Sequence, residues 1–287
     1  MAEIELSAGT VEYTDTGGDG PVLVFLHGVT VAPSVWRHVV AGLSDEYRCV
    51  LPHLPLGSHR RPMREGADLS LAGIAGLIGE FLDRLDLREV TLVQNDWGGA
   101  QILVAHGGAE RVARMVLVAC EAFDNYPPGL PGRVLRLTTR VPGGLAALAQ
   151  LLRLRAFRRA PGGWGWMSKR PVPDDVMDEW FRPVREQAGV RRDLAAYGIG
   201  LPAREVLLDW AERNRAFPGP VLVVWAAEDR TMPGAHGNRL ASLYPQGRLV
   251  TISDSYTLVP EDQPAALTST IRGFLAETSV SGRGAAS

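Results

Sequence analysis

The sequence predicts an α/β fold: a mostly parallel sheet with helices on both faces and a helical insert over one edge. Three observations carry this expectation. Short apolar, β-branched runs alternate with longer helical patterns, the signature of parallel strands joined by crossover helices. The alternation stops after Glu121 and resumes at Pro220, which leaves room for an insert. The 287 residues, 46% hydrophobic and 22% charged, suffice for one large core and a modest addition to it.

The strand runs are VLVFLHG (22–28), YRCVLPHLP (47–55), VTLVQND (90–96), RMVLVACE (114–121), VLVVWAAED (221–229) and RLVTISDS (248–255). Leu71, Ile74, Ala75, Ile78, Leu82 and Leu85 recur at three and four, which marks an amphipathic helix begun by Ser70 as its N-cap. Within the insert, Pro and Gly breaks separate helical pieces at Arg133 to Thr139, Leu145 to Arg155, Pro173 to Glu186 and Ala203 to Arg215. The expected division is a first core part at 1–125, a helical lid at 126–205, a second core part at 206–277, and a small, polar, disordered tail at 278–287.

Composition narrows the function classes. Cys49 and Cys120 each lie in a strand run, so neither reads as half of a disulfide or as a metal ligand. The N-terminus has no basic region before a long apolar stretch, and no window approaches eighteen uninterrupted apolar residues. A cytoplasmic protein with no membrane span, no membrane partner and no nucleic-acid partner is expected, and the near-neutral charge of -2 agrees with that. Residues 131–192 hold thirteen Lys and Arg against five Asp and Glu. This surplus suits an anionic or carrier-bound small-molecule substrate, although such charge is more often just a solvated helical face.

The chemistry concentrates where VTLVQND meets GGAQILVAHGG, a strand-to-helix turn reading Asn95-Asp96-Trp97-Gly98-Gly99. Such a turn needs glycines after its central residue, because the backbone there is strained and neighbouring chain comes close. It presents the Asp96 side chain at the carboxyl edge of the sheet; the plainer reading is that Asp96 caps the following helix. Earlier, VLVFLHG ends in His27-Gly28 and runs into a loop of small residues before Trp36.

On these motifs, residues 20–125 and 203–275 resemble the α/β-hydrolase superfamily, and specifically its aspartate-nucleophile branch of haloalkane dehalogenases and epoxide hydrolases. The resemblance implies that Asp96 attacks an electrophilic carbon to form an ester, with the backbone N–H groups of Val29 and Trp97 as an oxyanion hole and with no cofactor or metal. It offers two positions for the acid that orients a catalytic histidine, Asp229 in WAAEDRTMP and Glu121 at the end of RMVLVACE. It also puts Thr257, in Ser255-Tyr256-Thr257-Leu258, where the branch keeps that histidine. A threonine cannot act as a base near neutral pH. Of the six histidines, His27 belongs to the oxyanion-loop motif, His106 reads as packing, and His236 lies only seven residues after Asp229. Further departures are Val29 and Thr30, where the branch has Asn or Pro, and His53-Leu54-Pro55-Leu56-Gly57-Ser58-His59 in place of an Asp-Pro-Gly loop.

Substrate contacts are expected from His27, from the indoles of Trp97, Trp164, Trp166 or Trp180 as leaving-group donors, and from Tyr126 or Tyr197 as acids toward an epoxide oxygen. Three functions follow. The first is a hydrolase acting on an epoxide, alkyl halide or related carbon through Asp96. The second is a lyase, isomerase or cyclase in which Asp96 carries a proton. The third is a ligand-binding protein without turnover.

Overall fold

A computed structural model describes residues 1–281. Eight strands are found: β1 (Ala2–Leu6), β2 (Gly9–Asp15), β3 (Val22–Leu26), β4 (Arg48–Pro52), β5 (Val90–Asp96), β6 (Val112–Cys120), β7 (Val221–Ala226) and β8 (Gly247–Ile252). They form one sheet in the order β1-β2-β4-β3-β5-β6-β7-β8. The first two pairings are antiparallel and the rest parallel. The six strand runs read from the sequence are β3 to β8. The β1–β2 hairpin was not anticipated.

Helices α1 (Arg37–Ala41), α2 (Leu71–Arg84) and α3 (Gly99–Ala105) connect the first parallel strands. In α2 the Ser70 hydroxyl oxygen accepts the Gly73 N–H at 3.1 Å, the cap its position predicts, while Ile74, Ile78 and Leu82 are fully buried. Five helices follow β6: α4 (Gly129–Arg140), α5 (Gly144–Leu151), α6 (Arg155–Arg158), α7 (Asp174–Glu186) and α8 (Ala188–Ile199). They cover the carboxyl edge of the sheet. Helix α9 (Arg204–Arg213) returns the chain to α3, and α10 (Gly234–Leu243), α11 (Val259–Asp262) and α12 (Pro264–Ser281) complete the fold.

Two apolar cores, one on each face, enclose the central strands. Buried polar groups tie the helical cover down: Asp193 of α8 accepts the Met63 N–H at 2.7 Å and faces His59 Nε2 at 3.1 Å. Residues 278–281 continue α12, which corrects the expectation of disorder for that part of the tail. The rest of the tail, 282–287, lies outside the described residues.

Candidate active site

The site forms between β3 and β5, where the strand order reverses and crossovers leave in opposite directions, the crevice that parallel sheets open at their carboxyl edge. Register sets its partners. Leu26 lies opposite Gln94, so two residues further on Gly28 comes level with Asp96. A Cβ on Gly28 would overlap the Asp96 carboxylate, so only glycine permits this approach. Asp96 itself has φ +65°, a conformation costing a non-glycine residue about 1–3 kcal/mol, which packing must hold. It is held by Glu121 N–H to Asp96 C=O at 2.8 Å, and by Asn95, whose amide donates to the carbonyls of Val118 at 3.0 Å and Thr257 at 2.7 Å. At Gly98 a Cβ would strike the Tyr126 hydroxyl and the Glu121 carbonyl, which explains the second small residue of the turn.

Glu121 reaches the site through a bulge. The β5–β6 register slips between Asn95 and Asp96, leaving Ala119 as an extra residue with φ +34° between Val118 and Cys120. A bulge re-aims the strand beyond it, and Glu121 thereby lines the same cavity as Asp96. Its Oε2 is buried without a partner.

The cavity has a volume of about 290 Å³. Val29, Thr30, Asp96 and Glu121 form its floor, and Leu135, Leu145, Leu152, Val184, Leu194 and Tyr197 are among the residues of the helical cover above it. Apart from the two carboxyls, the polar groups on this lining are few, and the Tyr197 hydroxyl is buried without a partner.

Val29 N–H donates to Asp96 Oδ2 at 3.0 Å, so one expected oxyanion-hole donor faces the carboxylate directly. The other does not: Trp97 N–H is engaged by the Asn95 carbonyl at 2.8 Å, because the tight turn folds it back on its own strand. Burial pushes the Asp96 carboxyl up to about 7, opposed by the Val29 N–H and aided by the Asp229 charge. Burial raises Glu121 well above the usual carboxylate range, with the Asp96 charge adding to it and the Gly98 N–H opposing.

Thr257 joins Asp229 but no base. Its hydroxyl donates to Asp229 Oδ1 at 2.8 Å and lies 2.5 Å from the Thr231 hydroxyl. The same Oδ1 accepts the N–H groups of Thr231 and Met232, each at 2.8 Å. Asp229 Oδ2 is buried and unpartnered. Thr231 was not singled out from the sequence, although an Asp-x-Thr spacing is a turn signal in which a carboxylate accepts the N–H two residues on.

The structure redistributes the expected substrate contacts. Trp164 and Tyr197 line the cavity. His27 does not: its ring lies against the loops, Nε2 accepting the Leu54 N–H at 2.8 Å and Nδ1 meeting the Gly28 carbonyl at 2.9 Å, with burial lowering its pKa to about 4. Trp97 packs in the core beneath the site, its indole N–H unpartnered but off the lining. Tyr126 donates to the Glu121 carbonyl and borders a neighbouring cleft instead. Trp166 stacks under Arg230, and the Trp180 indole is committed to Ser34 Oγ at 2.9 Å. Among the described residues no group of three or more His, Cys, Asp or Glu side chains is arranged to hold a metal ion.

Comparison with known proteins agrees with this fold. The chain is 28% identical over 273 residues to haloalkane dehalogenase 2 of Mycobacterium tuberculosis, spanning 92% of this chain and 91% of that protein. It is 26% identical over 285 residues to the cis-3-alkyl-4-alkyloxetan-2-one decarboxylase of Xanthomonas campestris, spanning 92% of each. The haloalkane dehalogenase DbeA of Bradyrhizobium elkani shares the fold with a TM-score of 0.78 at 18% identity, covering 98% of each chain. Residues 21–264 match the α/β hydrolase fold family. The chain therefore belongs to the α/β-hydrolase fold family, as a haloalkane dehalogenase-like member.

Proposed function

We propose that this enzyme opens an apolar electrophile by attack of Asp96 on a saturated carbon, and that the ester is resolved by the substrate rather than by an enzyme-activated water. The helices of 126–205 serve as the lid over the reaction. The observation that carries this reading is that one apolar cavity holds Asp96 and Glu121 on its floor and the Tyr197 hydroxyl in the cover above, while Asp229 is met by the Thr257 hydroxyl and by no basic side chain. A carboxylate suits displacement at saturated carbon, and two unpartnered proton-bearing groups suit a leaving oxygen. An epoxide or a strained oxygen ring makes use of these proton-bearing groups, which the departure of a halide would not need.

The fate of the ester depends on the substrate. With a four-membered lactone, attack at the ring carbon breaks its bond to oxygen and frees a carboxylate. Cleavage of the adjoining carbon–carbon bond then releases CO₂, its electron pair forms the alkene, and the bond to Asp96 breaks to restore the carboxylate. No water is consumed. The similarity to an oxetanone decarboxylase supports this branch. With an epoxide the ester persists, since Thr257 cannot deprotonate water. The second reading, proton transfer by Asp96 in an isomerase or cyclase, draws support from a carboxyl that titrates at about 7, near the operating range of a general acid–base.

Intact-mass spectrometry tests the proposal. After incubation with epoxides and haloalkanes, a stable adduct on the peptide containing Asp96 is expected from at least one epoxide. A dialkyl β-lactone should yield alkene without an adduct. Ligand binding with neither adduct nor alkene from the whole panel would refute Asp96 as nucleophile, leaving the proton-transfer or ligand-binding reading.

A further inference from the structure

The helical cover carries an outer face that the chemistry at Asp96 does not use. Most of the exposed large apolar side chains among the described residues fall between Leu130 and Phe157. On α4 these are Leu130, Val134 and Leu137, with Val141 just past its end, and α4 has no fully buried residue. Their spacing of three and four puts them in one stripe of the helix. Leu151, Leu154 and Phe157 extend the apolar face onto the next helices.

Beside this stripe runs a second one. Arg133, Arg136 and Arg140 recur at three and four, rotated by about a quarter turn from the apolar row at 100° per residue. All three line a cleft of about 630 Å³, and Arg136 Nε is buried there without a partner. None of them, nor Arg153 nearby, has a carboxylate within ion-pair distance among the described residues, whereas Arg155, Arg158 and Arg159 of the same segment are paired with Asp174 or Asp178. Val134 and Phe157 are at once exposed and part of the active-site cavity lining, so this face surrounds the cavity mouth.

We infer that this face of residues 130–157 docks the enzyme on an anionic phospholipid surface, with the arginine cleft taking lipid phosphate and the apolar stripe entering the interface. A helix with an apolar stripe flanked by arginines is the form that lies in the plane of a bilayer. Like charges oppose the other simple occupant, a second copy of the chain, since a two-fold contact would set unpaired arginines against arginines. An acidic carrier protein would satisfy the charges but leave most of the apolar ridge without a role. The docking is peripheral: no helix among the described residues is long and apolar enough to cross a membrane. It departs from the sequence-based expectation of no membrane partner, and it stands independently of the reaction at Asp96.

Flotation of the full chain with vesicles tests this, one set pure phosphatidylcholine and the other an equal mixture with phosphatidylglycerol. Binding to the anionic vesicles only, weakening with salt, is expected. R133Q/R136Q/R140Q should weaken it on the order of a hundredfold, and Leu137→Asp alone on the order of tenfold. These side chains are at most partly buried, and a thermal melt confirms that each variant folds. Failure to bind anionic vesicles at low salt, or binding unaffected by either variant, overturns the inference. Capture of a purified acidic carrier protein without vesicle binding, or dimerisation that Leu137→Asp abolishes, overturns it in favour of that partner.

Discussion

Replacing Asp96 by Asn should stabilise the protein, and by an amount that depends on pH. Burial lifts the Asp96 carboxyl from its ordinary value of 3.8 to about 7. Below about pH 4 the group is protonated in both folded and unfolded chains and the shift has no effect. Between about 4 and 7 the unfolded chain ionises while the folded one keeps its proton, so stability falls as pH rises. Above 7 the loss is complete, and about three pKa units at 1.36 kcal/mol each set it at about 4 kcal/mol. Asparagine keeps an oxygen for the Val29 N–H but never ionises, so it escapes that loss. Thermal melts at pH 5 and pH 8 should show the variant gaining several degrees at pH 8, up to roughly 10 °C, and much less at pH 5. All adduct formation should vanish in the same variant. A variant less stable than the parent at pH 8, or a gain equal at both pH values, would refute the reading of a buried, destabilising carboxylate exposed to substrate at a strained turn.

Adduct formation itself should rise as pH is raised through about 7 and level off above, because only ionised Asp96 attacks; a flat rate between pH 5 and 8, measured by mass spectrometry, would contradict it. Glu121→Gln should slow epoxide opening about 10²-fold or more while sparing any haloalkane reaction, since a halide needs no proton; equal losses on both would assign Glu121 a structural role. Thr257→His should create hydrolytic turnover of an epoxide ester, because a ring nitrogen there can meet the unpartnered Asp229 Oδ2 while the other nitrogen takes a proton from water. No turnover in a folded variant would mean that Asp229 cannot orient a base.

The parallel part of the fold was legible because β3 to β7 are mostly buried and read as continuous apolar runs, and β8, an edge strand with only Ile252 buried, still carries an apolar, β-branched run. The β1–β2 hairpin was missed although Ile4 and Leu6, then Val11 and Tyr13, alternate with polar residues: five and seven residues at a sheet edge give a weak signal. Helix α8 hides its pattern behind Gly189 and Gly198 and a buried Asp193. At the site, the turn and the placement of Asp96 at the carboxyl edge of the sheet were readable from Asp96-Trp97-Gly98-Gly99. Which indole meets the cavity was not, since Trp164 and Trp166 sit two residues apart on a single short turn and spacing cannot say which one faces inward. Nor could a sequence reveal that Trp97 N–H folds back on Asn95, which is a matter of the orientation of a single peptide.

A threonine hydroxyl, and no imidazole, beside Asp229 sets the charge logic of the whole site. Asp96, Glu121 and Asp229 are all largely buried, and no lysine, arginine or histidine among the described residues hydrogen-bonds to any of them. An imidazole among such carboxyls would take up a proton during turnover and, as a cation, let acid and nucleophile be ionised together. Thr257 and Thr231 instead satisfy Asp229 Oδ1 with hydroxyls, which spread its charge but accept no proton. The cluster must then limit its negative charge by keeping protons of its own, and the direction of all three shifts agrees with that. On the proposed function, a proton retained on Glu121 beside an ionisable Asp96 is an acid next to a nucleophile. On that same proposal, such a site would lack the means to make hydroxide but could protonate an oxygen as it leaves carbon, so ring opening, and not ester hydrolysis, is the step its residues would speed.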